Sequence, residues 1–129
     1  MKKQSVLVID DSQDTLVLQR ILLESEGYEV HTVESGAEGL AILSEISEPN
    51  LILLDMQMED MSGVEFLIKL EEKKPEIIKD VPIVFFTAMN SVPTSKAAGF
   101  IRKPVLDMPS FFKSVHRFIE MGHSRSFKH

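Results

Sequence analysis

The sequence predicts an α/β domain built on a doubly wound, five-stranded parallel sheet, and three observations carry that prediction. Short, nearly all-aliphatic runs recur along the chain, as strands buried on both faces require. Amphipathic stretches with helix-start signals lie between most of them. The two kinds of segment alternate about five times, which places helices on both faces of the sheet. The chain shows no internal repeat, low-complexity segment or interdomain linker.

The first strand is Val6-Leu7-Val8-Ile9, closed by Asp10-Asp11. Ser12 or Asp14 caps the helix that follows, which runs to about Glu26 and stops at Gly27. Its apolar residues Leu16, Val17, Leu18, Ile21, Leu22 and Leu23 cover most of the circumference. Leu18 and Leu22, with Leu23 beside them, are read as the core face, leaving Val17 and Ile21 partly exposed. Tyr28 to Val33 alternates and reads as a less buried second strand. Ser35-Gly36-Ala37-Glu38 is a capping box opening a helix through about Ser47. After Pro49-Asn50 comes Leu51-Ile52-Leu53-Leu54, a fully buried strand ending in Asp55. Ser62-Gly63-Val64-Glu65 is a second capping box, for a helix to about Lys74 that Pro75 stops. Val81 to Thr87 is the fourth strand, Phe100-Ile101-Arg102 the fifth, closed by Lys103-Pro104. The last helix spans about Met108 to Met121, and the polar, basic residues 123–129 read as a flexible tail.

The 129 residues are 43% hydrophobic, enough for one domain with one core. A net charge of -6 argues against a nucleic-acid backbone as direct partner. The chain has no cysteine, hence no disulfide or thiolate chemistry. Val6 to Ile9 is too short for a signal-peptide core, and no run approaches a membrane span. The expectation is a cytoplasmic protein without membrane contact. His31, His116, His123 and His129 lack the spacing of a metal site.

The chemistry gathers at the strand ends. In open α/β sheets, ligands bind outside the carboxyl ends of the strands. Four such ends here carry Asp10-Asp11, Asp55, Thr87 and Lys103. Three carboxylates brought close repel one another unless a cation lies among them, and hard oxygen ligands with open positions suit Mg²⁺. Lys103 adds an ammonium suited to a phosphoryl oxygen, and Thr87 a hydroxyl. Taken singly, each is a common cap, turn or surface residue. Taken together, in order on successive βα units, they form a phosphoryl-transfer site in which Asp55 is the nucleophile.

These residues, with Leu51 to Met58, Ser62-Gly63, Phe85-Phe86-Thr87-Ala88 and Lys103-Pro104, make the chain resemble the receiver domain of two-component response regulators. The resemblance covers residues 5 to 121 and implies the flavodoxin-like strand order 2-1-3-4-5. Residues 1–122 are then a receiver domain of the stand-alone type. The resemblance implies that Asp55 is the phosphoacceptor, supplied by a histidine kinase or histidine phosphotransfer protein. It implies Mg²⁺ held by Asp10, Asp11, Asp55 and the backbone carbonyl of Gln57. Lys103 and Thr87 would pair with the phosphoryl group, and Phe100 would be the aromatic switch residue that alters a surface for an output protein. Such a domain assists its own phosphorylation and dephosphorylation without being an enzyme in the ordinary sense.

Two departures stand out. Glu59 occupies a position where the family usually has proline, which should loosen that loop and add charge. The segment from Met89 to Gly99 is several residues shorter than the family's loop plus helix, so the helix between the fourth and fifth strands should be short, irregular or missing. The usual dimer on that face is therefore not carried over. Gln57 and Met89 flank the site and point to slow self-hydrolysis, because Met89 cannot orient a water. Val17 and Ile21 fit docking of a phosphodonor helix. Two other function classes use parts of the same pattern. A phosphatase of the haloacid dehalogenase type would need an acid where Gln57 stands, and a substrate cap. A receiver-like interaction module that is never phosphorylated is the remaining alternative.

Overall fold

The computed structural model describes residues 3–127, with side chains through residue 122. Strands β1 (Ser5–Ile9), β2 (Glu29–Val33), β3 (Leu51–Leu54), β4 (Ile83–Thr87) and β5 (Gly99–Arg102) form one sheet in the order β2-β1-β3-β4-β5. Every pairing is parallel. This is the strand order that the receiver resemblance implies.

Side chains alternate across the sheet with period two, and each face has its own apolar layer. On one face Leu7, Ile9, Ile52, Leu54, Ile83 and Phe85 pack with Phe66, Leu67 and Leu70 of α3 (Gly63–Lys73) and with Ile77 and Ile78 of α4 (Pro75–Asp80). On the other, Val6, Val8, Leu51, Leu53, Val84 and Phe86 pack with Leu16 and Leu23 of α1 (Gln13–Ser25) and with Phe111, Val115 and Ile119 of α5 (Met108–Phe127). Each fully buried Leu, Ile or Phe contributes roughly 1.5–3 kcal/mol. No helix among the described residues is long and apolar enough to cross a membrane.

Local signals set the helix ends. The Ser12 side chain accepts the Thr15 N–H at the start of α1. At its end Gly27 takes a φ of 92°, a left-handed conformation that glycine adopts without strain. The Gly27 N–H then reaches the Glu24 carbonyl and the Tyr28 N–H the Leu23 carbonyl, the Schellman pattern. Ser62 and Glu65 form a complete capping box on α3. The box expected at Ser35 is half formed at the start of α2 (Gly36–Ile42): Ser35 accepts the Glu38 N–H, but the Glu38 carboxylate takes the Glu34 N–H instead. Asp60, from the loop after β3, supplies the missing acceptors to Gly36 and Ala37.

The structure corrects several expectations. The core face of α1 is Leu16, Gln19 and Leu23, whereas Leu18 is 48% exposed together with Val17 and Ile21. Helix α2 ends at Ile42, short of Ser47. Pro75 ends α3 but also opens α4, a helix the sequence reading lacks; its missing N–H costs nothing at a first helical position. Helix α5 continues through residues 123–127, where a tail was expected. Between β4 and β5 the helix is missing, as anticipated: residues 90–98 are irregular.

Candidate functional site

The sheet's own hydrogen-bond ladders bring the site together. Past the end of β1, the Asp10 N–H reaches the Val33 carbonyl at 3.2 Å; past β3, the Asp55 N–H reaches the Ile9 carbonyl at 2.9 Å. Past β5, the Lys103 N–H reaches the Thr87 carbonyl at 2.9 Å. Continuing the strands by one residue therefore aligns Asp10, Asp55, Thr87 and Lys103 along one edge. Helix α3 is drawn close beneath them. The Gly63 N–H donates to the Met56 carbonyl at 2.7 Å, and a Cβ at Gly63 would lie 2.8 Å from the Asp55 carbonyl oxygen. Only glycine fits that approach.

At the centre, Lys103 Nζ donates to Asp10 Oδ2 at 3.0 Å and to Asp55 Oδ1 at 3.5 Å. Asp10 and Asp55 are buried, at 1% and 8% exposure, while Asp11 is exposed. Asp10 Oδ1 also accepts the Ser12 N–H, and Asp55 Oδ1 the Gln57 N–H at 3.4 Å. Burial pushes the Asp55 carboxyl up to about 6, and the Asp10 charge adds to the rise. The Lys103 ammonium and the Gln57 N–H pull it back, and Asp11 raises it slightly further. At neutral pH Asp55 is thus mostly ionised, with its negative charge held at a cost in free energy.

Asp10, Asp11 and Asp55 each offer a carboxylate oxygen, and these oxygens lie within 4.8 Å of one another. A set of hard, anionic donors at that spacing fits a small divalent cation such as Mg²⁺. One ammonium is too little to balance three acids, so the cluster's chemistry supports the fit.

Thr87 is 3% exposed, and its Oγ1 accepts the Met89 N–H at 3.1 Å. Among the described residues, no hydrogen bond joins it to Asp55. Phe100 is not brought to the acids: on β5 it lies in register with Phe85 of β4 and is 37% exposed. A pocket of about 300 Å³ opens beside Lys103, lined in part by Leu18 and Gln19 of α1, Phe86, Ala88 and Val105. Sequence reasoning missed the Ser12, Met89 and Glu59 backbone N–H groups, the last of which donates to Asp11 Oδ2 at 3.1 Å. Main-chain donors leave no trace in residue type unless proline removes them.

The family profile described as "Response regulator receiver domain" matches residues 6–115. The chain belongs to this receiver family. The Escherichia coli transcriptional regulatory protein GlrR is 32% identical over 94% of the chain, but the chain spans only 27% of GlrR's length. The polar-differentiation response regulator DivK of Brucella ovis is 29% identical over 90% of the chain and is itself 96% covered. Among solved structures, the response regulator TrrA of Thermotoga maritima in complex with Mg²⁺-BeF superposes with a TM-score of 0.76. It is 27% identical and covers 89% of this receiver and 98% of its own chain. Receivers are as a class phosphoacceptors rather than enzymes, and they act by contact with phosphodonors and outputs.

Proposed function

We propose that this receiver takes a phosphoryl group from a phosphohistidine donor onto Asp55 and thereby switches a protein-binding surface. The observation that carries the reading is the placement of an ionisable, buried Asp55 within reach of Lys103 and beside Asp10 and Asp11 at one sheet edge. The P–N bond of the phosphohistidine breaks as a P–O bond forms to an Asp55 carboxylate oxygen, and the imidazole leaves. Such transfer needs little beyond positioning and neutralisation of charge.

Asp10, Asp11, Asp55 and the Gln57 backbone carbonyl are the groups that would hold Mg²⁺. When bound, the ion would supply positive charge against the phosphoryl oxygens and relieve repulsion among the acids. TrrA in complex with Mg²⁺-BeF is the relative that favours this assignment. The ammonium of Lys103, now closer to Asp10 than to Asp55, turns toward the added oxygens. The Thr87 hydroxyl proton donates to one of them, which draws the loop that Met89 ties to Thr87 inward. Phe100 then swings from its half-exposed position toward the space Thr87 vacates, and the surface around β4 and β5 changes.

The donor is a histidine kinase or a histidine phosphotransfer protein. It docks by a helix against the exposed Val17, Leu18 and Ile21 of α1, next to the pocket that Lys103 lines. The output is a second protein. Nucleic acid and membrane are not direct partners, and cytoplasmic residence is part of the same proposal. Incubation with Mg²⁺ and a small phosphodonor, followed by intact mass measurement, tests the reading. The expected result is a gain of one phosphoryl group that Asp55→Asn abolishes; full labelling of Asp55→Asn would overturn it.

A further inference from the structure

Helices α2 and α3 lie on the sheet face opposite α1 and α5. Seven residues against eleven make α2 about 6 Å the shorter. A groove of about 390 Å³ lies between the two. Its floor is apolar, with Met61 and Leu70 buried and Leu40 half-buried. Its rim on the α3 side carries Lys69, Lys73 and Lys74, and no acid lines it. The chain has a net charge of -6, yet none of these three ammoniums makes an ion pair among the described residues. Two acids of the same helix are engaged elsewhere: Glu65 accepts the Ser62 N–H at 3.3 Å, and Glu71 takes Lys96 at 3.5 Å.

We propose that this groove docks an acidic peptide segment of a second protein, with its carboxylates on Lys69, Lys73 and Lys74 and an aliphatic side chain over Leu40, Met61 and Leu70. Lysine stems lie along apolar surface while their charged heads stay in water. Rim and floor therefore suit the two halves of one amphipathic segment. Complementary charge steers such a partner in and selects against others. A phosphate-bearing ligand fits less well. Phosphate sites use helix N-termini, whereas Lys73 lies in the last turn of α3 and Lys74 caps its C-terminal end, where the helix dipole is negative. A second copy of this chain, at net charge -6, is repelled at long range. The groove shares no residue with the acid cluster or Lys103 and lies across the sheet from α1. It can be filled while a phosphodonor occupies α1, and its occupation does not depend on phosphorylation of Asp55.

Amide chemical shifts test this, in a titration of the isotopically labelled, metal-free and unphosphorylated chain with the peptide Glu-Glu-Leu-Leu-Glu-Glu. The expected result is a saturable set of shifts concentrated at Ala37 to Ser44, Met61 and Lys69 to Lys74. Binding should weaken severalfold from low to physiological salt. The double variant Lys69→Glu, Lys73→Glu, at two exposed positions, should keep its thermal melting and bind about tenfold more weakly. A peptide with Ser in place of both Leu keeps the charges and should bind at least about threefold more weakly, because the apolar floor is then unused. Absence of saturable shifts, shifts centred away from the groove, or undiminished affinity of the double variant overturns the proposal. So does an equal response to tripolyphosphate, which would make the groove a general anion site. Shifts of the same amides on raising the protein concentration alone would place a second copy there and overturn it as well.

Discussion

Replacing Asp55 by Asn should make the metal-free protein more stable, and the size of the gain follows from the burial of the carboxyl. Asp55 titrates at about 6 in the folded chain against 3.8 for an open carboxyl. Because the folded value is the higher one, the folded state binds the proton more tightly than the unfolded state does. The group's favourable contribution is complete below about pH 4 and is lost as pH rises through about 6. At about 1.4 kcal/mol per pH unit, the ionised side chain costs roughly 3 kcal/mol at neutral pH and above. Asparagine keeps the shape and an oxygen for the Gln57 N–H while removing the charge. Lys103 loses one partner but keeps Asp10 at 3.0 Å, so part of the gain is offset. Asp55→Asn is therefore expected to unfold in urea with a free energy roughly 1–3 kcal/mol above wild type near pH 8 in a chelator, and to show no advantage near pH 4. Circular dichroism can follow the transition, since the chain has no tryptophan. Added Mg²⁺ should stabilise wild type by mass action and narrow the gap. A variant no more stable than wild type near pH 8 without divalent cation would refute the reasoning, as would a gap that persists undiminished near pH 4.

Other outcomes follow from the same geometry. Gly63→Ala places a methyl 2.7 Å from the Phe85 ring and 2.8 Å from the Asp55 carbonyl; it should cost about 1–3 kcal/mol in urea unfolding, and an unchanged midpoint would contradict the close approach. Gln19 is buried on the core face of α1 with its Oε1 unpartnered, so Gln19→Leu should raise stability by about 1–2 kcal/mol in the same assay. Ser62→Ala should lose about 1 kcal/mol by uncapping α3, measurable by thermal melting. With Met89 unable to orient a water by hydrogen bonding, the phosphoryl group should persist for minutes or longer after donor removal; decay within seconds in a mass time course would count against this.

Much of the fold was legible because β1 and β3 are almost wholly aliphatic and each runs straight into an acid. A strand such as Leu51 to Leu54, buried at every position, can only lie between two helical layers. The site was legible for the same reason, since Asp10, Asp55, Thr87 and Lys103 each directly follow or close a strand and the ladders align them. Helix α1 was harder. Six apolar residues around its circumference left periodicity no contrast, and the true core stripe contains Gln19, which no hydropathy pattern selects. Helix α4 was missed because Pro75 ends one helix and begins another, and a stop signal hides the start behind it. The early end of α2 reflects weak support: only Gly36 and Gly39 are buried along it. Phe100 stayed outside the acid cluster because β5 alternates and places that side chain on its more exposed side.

The crossing from β4 to β5 has one further consequence. Residues 90–98 span it without a helix, and their amides find few protein acceptors: Ala97 bonds to Ser95 Oγ and Ala98 to the Ile83 carbonyl. Val92 and Ala97 lean on the underlying apolar layer, and Lys96 reaches Glu71 at 3.5 Å. Chain with so little cooperative bonding detaches locally at small cost while the sheet stays intact. The border of β5 thus resembles a loose hem, and a binding protein could restitch it without disturbing the cloth.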